Sequence, residues 1–193
     1  MGVYHHAGRL FAAGIFAVVS AAHAEEDRRE VGPHVHGRAT LAIAIEANNV
    51  QMEFVAPGMD IVGFEHEAET ARQKRAVETA LADLREPLNL FVLPESTGCT
   101  LTSAEVTVVA QDQEHHDAAA EADDSAETEE LEDHHSEFRA TYALACTDAA
   151  QLTSIYFPFF DRFAEARALA VTIIDADGQS SSDVTRDYRH LER

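Results

Sequence analysis

The sequence predicts an α+β fold: antiparallel β units, arranged as two related halves, packed with one main helix, stapled by a disulfide and interrupted by a long acidic loop. Three observations carry this. Several short stretches alternate large apolar residues with small or polar ones, the period-two signature of a strand buried on one face. Residues 70–84 combine a helix-capping sequence with an apolar stripe at helical spacing. Residues 111–137 hold two adjacent histidine pairs, a dozen carboxylates, no Lys or Arg, and one large apolar side chain, Leu131. That is too little apolar surface to offset the entropy of ordering a backbone, so the segment reads as a solvated loop.

In chain order, a weakly basic opening, an apolar run over residues 10–19 and the Ala22-His23-Ala24 site form the pattern of a cleaved secretory signal. A membrane span needs roughly 20 apolar residues. Cleavage is expected after Ala24, so residues 1–24 are the signal and residues 25–193 one exported domain; the short apolar run points to the bacterial periplasm. Residues 38–46, with Leu41, Ile43 and Ile45 alternating, are the first strand; Asn48-Asn49 is a turn and residues 50–55 return. Pro57-Gly58 ends the hairpin, and residues 60–67 are an irregular link anchored by Ile61, Val62 and Phe64. The helix opens with the capping box Thr70-Ala71-Arg72-Gln73, has Glu65, Glu67 and Glu69 where its dipole favours anions, and buries Val77, Ala80, Leu81 and Leu84 before Pro87.

Residues 88–94 read as a core-facing turn, residues 99–109 as a third strand entering the acidic loop and residues 138–146 as a fourth leaving it. Tyr156, Phe157, Phe159, Phe160 and Phe163 are an aromatic cluster broken by Pro158; core rings are one reading and a partner-docking patch the other. Residues 169–175 are a fifth strand, Asp177-Gly178 a turn, residues 179–185 an edge strand, and the tail carries no signal. The pattern R-A-T-x-A-x-A occurs at residues 38–44 and again at 139–145, each time just after a histidine pair. Either an ancient duplication or chance agreement in alanine-rich strands accounts for it.

The formal charge is −21 at pH 7, and signal cleavage removes Arg9 and no acid, leaving the domain more negative still. This excludes nucleic acid and anionic membrane as partners, since phosphate binding rests on clustered Lys and Arg; cations are the natural counterpart. The one basic cluster, Arg72, Lys74 and Arg75, reads as the solvated face of the helix or as a small docking surface. Two cysteines in an exported chain, Cys99 and Cys146, favour a disulfide over free thiols or metal ligands, and the bridge would enclose the acidic segment.

Eight histidines remain after the signal is removed: His34, His36, His66, His115, His116, His134, His135 and His190. Imidazole is the commonest protein ligand for zinc, and surrounding carboxylates concentrate divalent cations. His34 and His36 are two apart, so on a strand they share a face; His66 is flanked by Glu65 and Glu67; the pairs His115-His116 and His134-His135 flank the acid run. These seven are the candidate metal ligands, against a bland reading in which the acidic loop merely solubilises the chain; His190 is an ordinary surface residue. There is no H-E-x-x-H helix, no G-x-S-x-G elbow and no Gly-rich phosphate loop, so an enzyme is not expected.

Several pieces together resemble the ZrgA-type periplasmic zinc-binding proteins, a family once known only as a domain of unknown function. They are the opening His34-x-His36-Gly37-x-Ala39-x-Leu41, the Pro57 link, Ile61-Val62-Gly63-Phe64-Glu65-His66, the pair Cys99 and Cys146, the acidic insert and the restart His135-Ser136-Glu137-Phe138. The resemblance implies zinc acquisition or storage in the periplasm, with histidine ligands and an ABC zinc transporter as partner. Against the His-Asp repeats of such inserts, this one is richer in Glu and Asp, which shifts weight to the histidines of the folded domain. The competing class is an acidic protein-interaction module with incidental metal affinity. Salt separates the two, since charge docking weakens with ionic strength while coordination answers to pH and chelator.

Overall fold

Alternation along the strands decides which face of the sheet is covered. In the computed structural model, which describes residues 37–111 and 135–193, β1 (Arg38–Glu46) buries Ala39, Leu41 and Ile43 and leaves Arg38 and Thr40 in solvent. β2 (Asn49–Pro57) buries Val50, Met52 and Phe54, and β4 (His135–Ala145) buries Phe138, Ala140, Tyr142 and Leu144. With β3 (Thr100–Gln111), β6 (Ala168–Asp175) and β7 (Gly178–Thr185) they form one six-stranded sheet in the order β3-β4-β2-β1-β6-β7. Arg38, Thr40, Glu53, Glu105 and Thr141 mark its solvent-exposed face.

The sheet is mixed, which corrects the expectation of purely antiparallel units. Every neighbouring pair is antiparallel except β1 and β6, which run parallel with Leu41 opposite Val171 and Ile43 opposite Ile173. Parallel partners need a long crossover, and residues 146–167 belong to it, carrying the aromatic cluster across the covered face. The strands bearing the R-A-T-x-A-x-A repetition, β1 and β4, lie on the two sides of β2 in this one sheet, and two separate halves are not shown. The first turn falls at Ala47-Asn48, one residue earlier than expected, because Glu46 pairs with Asn49 and the Asn48 carbonyl accepts the Cys146 amide at 2.8 Å.

Rings fill the core. Phe54 meets Phe91 and Phe159 at centroid distances of 5.9 and 5.4 Å, and Phe159 in turn meets Phe160 and Phe163 at 5.3 and 5.2 Å, mostly in tilted or edge-on geometry. The cluster is therefore core; Tyr156 alone of it stays exposed. The main helix, α2 (Ala71–Leu84), follows a five-residue helix, α1 (Gly58–Val62), and has the expected reciprocal cap between Thr70 and Gln73. It buries Ala80 and Leu84, and its Leu84 carbonyl accepts the buried Tyr142 hydroxyl at 2.8 Å. Burial raises the Tyr142 pKa far above the ordinary phenol range, so it serves as a permanent donor. Two short helices, α3 (Pro87–Leu90) and α4 (Phe159–Arg162), complete the cover. The Cys99–Cys146 disulfide forms as expected, just beyond the Thr100–Ala145 pair, while Gln111 pairs with His135 at the other end of the same two strands, roughly 35 Å away at strand rise.

The tail, which carries no sequence signal, and the link after Pro57, expected to be irregular, both contain regular structure. The C-terminal tail forms β8 (His190–Glu192), which pairs with β5 (Ser154–Tyr156) in a two-stranded sheet. Before it, the Arg186 guanidinium donates to the carbonyls of Phe160, Phe163, Ala164 and Ala166 at 2.6, 3.1, 2.6 and 2.7 Å and lies over the Phe160 ring. The Phe160 carbonyl lies within the short α4 and the other three in the turn after it, where no strand supplies donors. The link after Pro57, expected to be irregular, opens as α1, and Gly58 fits there because nothing else would. A Cβ on it would overlap the Ser136 hydroxyl and come within 2.7 Å of the Phe64 carbonyl oxygen, which is backbone and cannot swing aside.

Replacing Arg186 by Met keeps the apolar stem and strands four acceptors. The expected loss is roughly 2–3 kcal/mol, read as a lower urea midpoint at unchanged slope, and Arg186→Lys should rescue little because one ammonium cannot span the carbonyls. Gly58→Ala should cost roughly 1–3 kcal/mol by overpacking, seen in thermal melts, and should loosen the link that carries Phe64 to His66. An unchanged melting temperature for Gly58→Ala would contradict the close approach of α1 to β4.

Candidate metal site

Where β4 begins, the chain gathers its polar residues instead of its rings. His135, Ser136 and Glu137, expected as the last residues of the acidic loop, are strand: they pair with Gln111, Ala110 and Val109 of β3, and Glu137 also pairs with Pro57 of β2. Strand pairing wins over the loop because β3 supplies backbone partners to all three and β2 a second one to Glu137. His135 and Glu137 are two apart and so project from the same face, as does Arg139, whose Nε donates to Glu137 Oε1. Glu137 is buried at 1% exposure.

The link between α1 and α2 closes over this point. The Ser136 amide donates to the Glu65 carbonyl at 2.9 Å, fixing the link's backbone against β4. The Glu65 carboxylate, 11% exposed, then accepts from His135 Nδ1 at 2.5 Å. One residue on, His66 stacks on Phe64 with centroids 5.1 Å apart, and its Nδ1 donates to the Glu67 carbonyl at 2.8 Å. Because a carbonyl only accepts, that nitrogen carries the proton and Nε2 holds the lone pair. Gln73 Nε2, 3.4 Å from His66 Nε2, points its amide at that lone pair while its oxygen completes the Thr70 cap. Both histidines thus have Nδ1 bound to an oxygen acceptor, the arrangement in which metal-binding imidazoles are held; for His66 to bind through Nε2 the Gln73 amide must turn away.

Asp60 on α1 is the third carboxylate of the region, 1% exposed, and its Oδ1 accepts the Gly37 amide at 2.7 Å. Gly37 stands immediately before β1, in the left-handed region at φ +83°, and its carbonyl accepts from the amides of Arg167 and Ala168 at 3.0 and 2.8 Å. Nothing local to Asp60 in the sequence signals its reach to Gly37, 23 residues back. Glu65 and Glu137 each stand within two residues of a candidate histidine, the signal by which their part in this region could be found.

Of the predicted ligands, the described residues contain His66 and His135, both on or against this end of β4; His34, His36, His115, His116 and His134 lie outside them. Among the described residues no three His, Cys, Asp or Glu side chains converge closely enough to hold an ion by themselves. His190 sits on β8, with Nδ1 3.0 Å from Glu192 Oε1, on the separate small sheet. No described helix is long and apolar enough to cross a membrane.

A donor set of imidazoles with carboxylates behind them suits zinc, which takes nitrogen and oxygen ligands in tetrahedral sites. No curated protein matches the chain. A family model described as ZrgA family zinc uptake protein matches residues 33–192, from just before His34 to the second-last residue. With a match over most of its length and a pole of imidazoles held by carboxylate and carbonyl oxygens, the chain belongs to the ZrgA family of zinc uptake proteins.

Proposed function

We propose that the protein captures or buffers Zn²⁺ in the periplasm and supplies it to an ABC zinc transporter, acting as a carrier of cargo and not as a catalyst. His66 and His135 bind through Nε2 on the folded domain, joined by His34 and His36 ahead of β1 and by His115, His116 and His134 from the acidic segment. The observation that carries this reading is the shared hydrogen bonding of the two described histidines: Nδ1 of His135 to Glu65 at 2.5 Å, and Nδ1 of His66 to the Glu67 carbonyl at 2.8 Å. Oxygen acceptors at Nδ1 fix the tautomer and ring orientation and raise the basicity of Nε2. Export rests on the signal-like residues 1–24, and the preference for a cation on a charge of −21.

His135→Ala and His66→Ala should each weaken zinc binding by about tenfold or more, measured by competition with a chromophoric chelator. Retained affinity in both would remove the folded domain from the site. Ligand nitrogens bind only when unprotonated, so calorimetry should show protons released on zinc binding at about pH 7.4 and much weaker binding at about pH 5.5. Equal affinities at the two values would count against histidine coordination.

A further inference from the structure

β7 is the last strand of the large sheet and pairs on one side only, with β6. Hydrogen bonds at its far end fix which backbone groups face outward. The Arg186 amide donates to the Arg167 carbonyl on the β6 side, while the Thr185 amide donates away from β6, to the Tyr188 carbonyl at 3.2 Å. Antiparallel pairing alternates, so Val184, Ser182 and Ser180 bond β6 through their backbones, and Asp183, Ser181 and Gln179 direct their amides and carbonyls out of the sheet. Among the described residues no donor or acceptor meets the backbones of those three. Natural edges are blunted by Lys, Pro or a bulge; β7 has neither residue, and its register with β6 is unbroken. Its one charge, Asp183, is tied to Arg38 at 2.6 Å on the sheet's solvent face.

The cover over the sheet stops short of this edge. Ser180 and Ser182 stand opposite Ile173 and Val171 and project to the covered face as Val184 does, yet both are exposed where Val184 is buried. A groove of about 620 Å³ opens there, lined by the two serines, by Val171 and Ile173, and by Leu152 and Leu191. A strand added to β7 would lie about 4.8 Å outside it and turn every second side chain toward this face. Because the serines are small, long side chains from that strand can cross above them to the apolar floor. The charged groups of the lining are mostly acidic. Asp175 and Asp177 stand at the turn between β6 and β7 with Glu192 of β8, and the one described cation there, Arg193, is bound to Asp175 and to the Leu152 carbonyl.

We propose that the β7 edge and this groove form a docking site for an extended segment of a partner protein, apolar at alternate positions and carrying Lys or Arg at the end that meets the turn between β6 and β7. Main-chain pairing with Gln179, Ser181 and Asp183 supplies affinity, the groove takes the apolar side chains, and the carboxylates select a basic segment over an acidic one. The site lies four strands from β4, roughly 19 Å across the sheet, so a partner seated there leaves the start of β4 uncovered. It does not depend on the zinc-binding reading.

The probe is a short capped peptide in which Leu and Thr alternate between terminal lysines, compared with one carrying Glu in place of Lys. Amide hydrogen exchange of the mature protein is followed by NMR with and without each peptide. The Lys peptide should slow exchange of the Gln179, Ser181 and Asp183 amides by about tenfold or more and leave other surface amides unchanged. The Glu peptide should bind at least about tenfold more weakly by fluorescence anisotropy. Ser181→Pro removes an outward donor without touching the bonds to β6, so it should abolish the protection and keep the fold. Should it fail to fold, Ser182→Phe, which fills the groove, takes its place with the same expected loss.

No protection at those amides overturns the proposal. So does binding that survives the substitution, which would mark a basic peptide adhering to acidic surface elsewhere. Equal affinity for the Glu peptide overturns the stated partner. Protection that appears in the protein alone and grows with its concentration makes a second copy of the chain the occupant, and overturns it as well.

Discussion

The contact on which the structure depends is Phe54 of β2 against Phe91 and Phe159. Phe54 stands on a central strand, and the two rings that meet it arrive from opposite connections, one after α3 and one on α4. Each buried ring removes on the order of 150–250 Å² from water, far more than any polar contact in the chain supplies. This anchoring brings both connections onto one face and leaves the sheet's other face to small and charged residues. Arg186 finishes the task by satisfying carbonyls of α4 and the turn after it.

With the apolar side settled, the start of β4 can hold groups that a core rejects. Asp60 and Glu137 are buried, and Glu65 nearly so, yet each has a specific use: an amide, an arginine, an imidazole. Burying a carboxylate is costly unless hydrogen bonds or opposite charge compensate, and each of the three has such a partner. The disulfide lies at the far end of β3 and β4, so the covalent tie and the His135–Glu65 pair sit at opposite ends of the same strand pair. Rigidity at one end leaves the other to be shaped by side-chain hydrogen bonds.

The R-A-T-x-A-x-A repetition acquires a physical meaning from the sheet. In both β1 and β4 the Arg, Thr and later Ala positions face away from the core, while Leu41 and Ile43 in one strand, and Tyr142 and Leu144 in the other, face into it. Two strands flanking β2 solve the same problem with the same alternation. Shared surroundings are a sufficient cause for the likeness.

Local rules were enough for much of this. Alternation located the strands of the large sheet, the Thr70–Gln73 cap and the stop before Pro87 located α2, and the cysteine pair announced its bridge, because each signal lies within a few residues of its effect. The histidines His66 and His135 were visible by type and neighbourhood as candidates for the proposed site. What the sequence left undecided were the long-range choices. The parallel pairing of β1 with β6, the tail's return as β8, the extension of β4 back to His135, and the reach of Asp60 to Gly37 and of Glu65 to His135 all join residues 23 to 130 positions apart. No periodicity records such partners. They exist only once the aromatic core has brought the connecting segments onto one face, which is why the histidines were legible in the chain while the Glu65 carboxylate that meets His135 was not.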